Sequence, residues 1–164
     1  MAPVHIEPLA IYFKKITDLK DLPNGAKGAI PSDPTNSARA LLLLQSAGLV
    51  TLKEPTGLTN TPFDVTSNPK NIQIVELEAA QIPRSIQDLD AAVINANYAL
   101  PAGLNPKKDG LFVEKADSPY ANLLSVNPED ENKESIKKLA KALQSPEVKK
   151  FIQEHYSGAI IPAF

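Results

Sequence analysis

The chain contains no cysteine, no tryptophan, two histidines and only 5% aromatic residues. Without cysteine, disulfides, thiolate catalysis and cysteine-ligated metals are excluded within it. The same absence suits a protein that works outside the cytoplasm. Aromatics this sparse do not build base-stacking platforms, and a formal net charge of -2 removes the electrostatic case for nucleic acid. No run approaches the ~20 apolar residues of a membrane span. Met1-Ala2-Pro3-Val4-His5-Ile6 carries neither the basic nor the apolar region of a signal peptide.

Catalytic signatures are missing as well. His5 and His155 lie near opposite ends of the sequence, and no Gly-x-Ser-x-Gly elbow or phosphate-cradling glycine loop is present. No His, Asp or Glu cluster has metal-ligand spacing. Glu76 and Glu78 share one strand face, which reads as a solvated face rather than an acid pair. The expectation is therefore a protein without a catalytic residue, metal or cofactor, and a screen for hydrolysis of amino-acid esters or amides should be negative.

What is present is an ordinary globular composition: 164 residues, 43% hydrophobic and 22% charged, enough for one good core or two small lobes. Extended segments are expected at 6–13, 26–30, 71–77, 91–95, 110–114 and 120–126. A short turn of helix at 14–23 is closed by Pro23-Asn24-Gly25. Helices are expected at 34–47, stopped by Gly48, and at 79–86 and 97–102. The region 54–69 reads as a loop with a helical turn near Pro62-Phe63-Asp64-Val65. Two C-terminal helices follow, one with the stripe Ile136, Leu139, Ala140 and Leu143, the other starting at Ser145-Pro146 with Val148, Phe151 and Ile152. Strands alternating with helices predict an α/β fold with a mainly parallel sheet, whose ligands bind beyond the carboxyl ends of strands.

The turn Pro31-Ser32-Asp33-Pro34-Thr35-Asn36 lies at such an end. Asp33 is a good N-cap, and Pro34 suits the first helical position, which needs no backbone N–H. The following turn offers free N–H groups, and Arg39 adds a planar cationic fork. Together they suit a small anion, a carboxylate above all. Arg39 could equally be a solvated helix residue or the partner of a carboxylate side chain. Asn95 ends an apolar strand, as a turn former or a ligand contact. Asn122 is flanked by apolar residues in Ser118-Pro119-Tyr120-Ala121-Asn122-Leu123-Leu124, where its amide must be satisfied by a ligand or by a core network. One arginine, two amides and a helix N-terminus form a binder's inventory, with no nucleophile or general base.

A series of motifs now falls into order. Pro31-Ser32-Asp33-Pro34-Thr35-Asn36 with Arg39-Ala40-Leu41-Leu42-Leu43-Leu44 is followed by Asn68-Pro69-Lys70-Asn71 and by Ile74-Val75-Glu76-Leu77-Glu78-Ala79-Ala80-Gln81-Ile82-Pro83-Arg84-Ser85. Then come Ala92-Val93-Ile94-Asn95 with Asn97-Tyr98-Ala99, and Asp117-Ser118-Pro119-Tyr120 with Asn122. In order and spacing these resemble the methionine-binding lipoprotein family, the NlpA type of substrate-binding protein in methionine ABC importers, over nearly the whole chain.

The resemblance implies a periplasmic-binding-protein-like (type 2) two-lobed α/β fold that closes on its ligand by a hinge motion. It implies one complete lobe at 22–115, with residues 1–21 as a crossing segment and part of the other lobe, and 116–164 as the return crossing and C-terminal helices of that other lobe. It implies L-methionine or a close analogue as ligand, bound in an interlobe cleft, with Arg39 on the carboxylate and Asn95 and Asn122 on the amino-acid end. Ser32, Asp33 and Asn36 would shape the turn beside the ligand, and no ligand contact falls to Glu76 or Glu78. The permease and ATPase of an importer are the implied partners, and the implied location is the cell envelope, lipid-anchored at the outer face of the cytoplasmic membrane. Family members carry a further stretch before the segment matching His5-Ile6-Glu7-Pro8, with the lipid-bearing cysteine and part of the thioether pocket. Exposed apolar surface and self-association are expected where that stretch is lacking. The family usually has Asn where this chain has Ser32, which leaves room for another amino acid or a short methionine-containing peptide. A surface lipoprotein acting in adhesion without transport is the alternative of a different class.

Overall fold

A computed structural model describes residues 2–13, 16–115 and 118–164. In chain order the elements are β1 (Ala2–Ile6), β2 (Leu9–Phe13), β3 (Lys27–Pro31), α1 (Pro34–Ser46), β4 (Thr51–Leu52), β5 (Val65–Ser67), β6 (Gln73–Leu77), α2 (Ile82–Ser85), β7 (Ala91–Asn95), α3 (Ala96–Ala99), α4 (Pro106–Asp109), β8 (Gly110–Val113), β9 (Asn122–Leu124), α5 (Glu134–Leu143), α6 (Pro146–Tyr156) and β10 (Ile161–Pro162). Single 3-10 turns stand at Leu19–Asp21, Pro62–Asp64, Ile86–Asp88, Leu100–Ala102 and Pro128–Asp130. Lys14 and Lys15, at the start of the expected turn 14–23, and Asp117 of the family motif lie outside the described residues.

The chain divides into two compact units, Leu9–Glu114 and Met1–Pro8 with Lys115–Phe164. The larger is built on a five-stranded sheet of order β6-β3-β7-β2-β8. β3 runs parallel to both β6 and β7, whereas β2 runs antiparallel to β7 and to β8. The expected mainly parallel sheet is thus a mixed one. β2 enters against the direction of its neighbours and sits between β7 and β8.

Period-two alternation explains the two cores of this unit. Leu9 and Ile11 of β2 join Ile30, Val93 and the α1 residues Ala40, Leu41, Leu43 and Leu44 on one face. Ala10 and Tyr12 of the same strand join Ala29, Ala92, Ile94 and Ile82 on the other. β7 is buried at every position, as a strand covered on both faces must be. Each fully buried Leu or Ile contributes about 1.5–3 kcal/mol. Gly110 is required by close approach, because an added Cβ would stand 2.5 Å from the Pro106 carbonyl oxygen and 3.1 Å from Ala10 Cβ.

The local signals for α1 act as the sequence suggests. Asp33 Oδ1 accepts from the Asn36 N–H at 3.0 Å, and Pro34 takes a first-turn position. Gly48, with φ +73°, follows the last turn. The helix expected at 79–86 is shorter: Pro83 sits in the first turn of α2, and a 3-10 turn replaces its end.

The smaller unit has an antiparallel sheet of order β10-β1-β9, with α5 and α6 following in sequence. Ile6, Ile152 and Ala159 are buried. The expected stripe of α5 is helical, yet no residue of that helix is buried. Leu139 and Phe151 remain exposed, as does Leu123 of the edge strand β9. Among the described residues no helix is long and apolar enough to cross a membrane.

Candidate functional site

The turn between β3 and α1 is pinned from below: Ser32 N–H donates to the Leu77 carbonyl at 2.8 Å, at the end of β6. Asp33 caps the helix and also accepts from Asn36 Nδ2, at 3.0 Å on Oδ1 and 3.1 Å on Oδ2. Asn36 turns its Oδ1 towards β7, where it accepts from Asn95 Nδ2 at 2.8 Å. Asn95 is only 8% exposed, and its Oδ1 is buried with no hydrogen-bond partner. The amide is therefore neither a turn former nor a cap; it presents one unfilled acceptor at the carboxyl end of a central strand.

Arg39 lies three residues beyond Asn36, on the same helix face. Its Nε donates to Glu114 Oε1 at 2.9 Å and its Nη2 donates to Oε2, a two-pronged pair. Both side chains are close to buried, at 9% and 12% exposure. Of the readings open to Arg39, the structure realises the partner of a carboxylate. Glu114 does more than neutralise it. Its N–H donates to the Leu9 carbonyl at 2.9 Å, and its Oε2 accepts from Leu9 N–H at 3.1 Å. Leu9 is in turn the register partner of Asn95. Arg39, Glu114, Leu9, Asn95 and Asn36 thus form a chain of partners that begins and ends on α1. All of it belongs to the larger unit.

The other singled-out residues fall elsewhere. Ser32 and Asp33 are exposed on the turn. Asn122 belongs to the smaller unit, on β9, in register with His5. It is exposed, so a buried core network does not account for it. Glu76 accepts from Ser37 Oγ at 2.9 Å and braces the first turns of α1 against β6. His5 Nε2 lies 3.2 Å from Glu7 Oε1. Tyr12 Oη is another buried atom without a partner; burial and the Asp109 carboxylate push its pKa up. Among the described residues no group of three His, Cys, Asp or Glu side chains could hold a metal ion. Glu114 is the residue that sequence reasoning missed. Its one signal was a charge closing the apolar run Gly110-Leu111-Phe112-Val113.

The larger unit is a mixed α/β sheet with polar side chains gathered at the carboxyl end of β7. The family model described as NlpA lipoprotein matches residues 1–164, and the chain belongs to that family. It is 47% identical over 158 residues to the D-methionine-binding lipoprotein MetQ of Salmonella typhimurium, covering 95% of this chain and 58% of that protein. It is 44% identical over 159 residues to Lipoprotein 28 of Escherichia coli strain K12, covering 96% and 58%. Among solved structures, a nutrient binding protein from Burkholderia cenocepacia bound to methionine superposes with a TM-score of 0.91 at 51% identity, covering 99% of this chain and 69% of that one. A periplasmic substrate-binding protein of an ABC transporter from Coxiella burnetii gives 0.90 at 48% identity, with the same 99% and 69% coverage. The chain spans a little over half, 56–58%, of the length of the curated relatives it matches.

Removing one partner of a buried ion pair leaves the other charge uncompensated. Glu114→Ala should therefore lower unfolding stability by about 3–5 kcal/mol. Glu134→Ala, in the exposed pair with Lys137, should cost about 1 kcal/mol or less. Urea unfolding of both variants checks this; equal midpoints would show that the Arg39–Glu114 pair holds nothing.

Proposed function

We propose that this chain is the substrate-binding component of an amino-acid ABC importer and takes methionine, without converting it chemically. The observation that carries the reading is the buried, unfilled Asn95 Oδ1 beside a helix that bears a fixed guanidinium. An α-amino acid supplies both complements: an ammonium to donate to Asn95 Oδ1, and a carboxylate for Arg39. By the family resemblance, Asn122 is a further candidate contact for the amino-acid end of a ligand. Likeness to a protein described as bound to methionine supports the side chain of the ligand.

Two enantiomers enter the reading on separate grounds. L-Methionine follows from the family resemblance. D-Methionine is favoured by the description of curated relatives as D-methionine-binding. The partners are the permease and ATPase of the importer, and the location is the cell envelope, in keeping with relatives described as lipoproteins. Leu123, Leu139 and Phe151, exposed on the smaller unit, support self-association of the chain by itself.

Titration calorimetry of each enantiomer into ligand-stripped chain should show saturable binding of at least one. Arg39→Lys keeps the charge and loses the fork. It should weaken binding about 10- to 100-fold, the range of a charged hydrogen bond. No heat with either enantiomer, or unchanged affinity in Arg39→Lys, would contradict the reading. Light scattering after size exclusion should give a mass above one chain, and a monomer would remove the self-association.

A further inference from the structure

We propose that Asp33 and Asn36 are positioning residues that fix the polarity of the Asn95 amide, so that the site selects a hydrogen-bond donor and rejects an acceptor. The inference rests on the reading of Asn95 as a contact for the ligand's amino group.

A primary amide carries an acceptor and two donors at nearly the same place, and a half-turn exchanges them. Something must therefore decide which end of Asn95 meets the ligand. An ionised carboxylate can only accept. Asp33 accepts from Asn36 Nδ2 through both of its oxygens, at 3.0 and 3.1 Å, which settles the orientation of Asn36. With its Nδ2 committed, Asn36 can offer Asn95 only an oxygen. Asn95 answers with Nδ2 at 2.8 Å, which leaves Oδ1 buried and unfilled. The fixed sign of one carboxylate thus passes through two amides and emerges as an acceptor at the end of β7. A ligand ammonium satisfies that acceptor. The carbonyl of the matching 2-oxo acid, with the same carboxylate and side chain, meets it oxygen to oxygen.

Two substitutions separate this relay from simple electrostatics. Asp33→Asn keeps an N-cap of equal quality but lets position 33 donate as well as accept, so Asn36 and Asn95 can both turn over. Asn36→Ala cuts the relay and leaves the Asp33 charge and its cap on the backbone N–H in place. Two readouts are made on the whole chain. The first needs no ligand: proton exchange of the Asn95 side-chain Nδ2, followed by NMR. It should be slow in the wild type and faster in both variants. The second is the ratio of affinities for methionine and its 2-oxo acid, which should fall about tenfold in both variants, the effect of one mismatched buried hydrogen bond.

An unaltered Asn95 amide in both variants would overturn the relay. So would a ratio that moves in Asp33→Asn alone, since that is the effect of charge. Wild-type protein that binds neither compound while its Asn95 amide responds to both substitutions would refute the ligand reading and uphold the relay.

Discussion

A guanidinium inside an apolar α/β unit requires a counter-charge, and much of the candidate site depends on where that counter-charge comes from. Glu114 supplies it from the last residue of the larger unit, with both carboxylate oxygens engaged. The same residue is hydrogen-bonded both ways to Leu9, the first residue of that unit. One carboxylate therefore fastens the entry and exit of the unit to the second turn of α1. Leu9 faces Asn95 across the β2–β7 ladder, and Asn95 returns to α1 through Asn36. Asn36 and Glu114 are each held from two sides, which is what a recognition site needs if its donors and acceptors are to stay in place.

The parts of this fold that are legible in the sequence are those that local chemistry decides. Asp33-Pro34 announces the start of α1, Gly48 its end, and the unbroken apolar run 91–95 a strand buried on both faces. The parts that were not legible join residues far apart. The Arg39–Glu114 pair spans 75 positions and the Asn36–Asn95 bond 59. No periodicity records such a pairing. The same holds for β2, whose residues read as extended but whose insertion between β7 and β8, against the direction of β7, is set by partners about eighty to a hundred positions away.

Asn122 shows the opposite failure. Apolar neighbours on both sides suggest burial, yet β9 is the edge strand of a three-stranded sheet and the residue is exposed. The stripe on α5 was equally readable as helix, while the exposure of Leu139 was set by what packs against it rather than by its spacing.

The central claim is that Asn95 and Arg39 meet the same amino-acid ligand. Labelled with nitrogen-15, the chain offers two direct reporters, the Asn95 side-chain amide and the Arg39 Nε–H. Titrated with methionine, both should shift along one saturation curve, giving a single dissociation constant equal to that from calorimetry. Saturable binding that leaves both signals unmoved would place the ligand elsewhere and contradict the account.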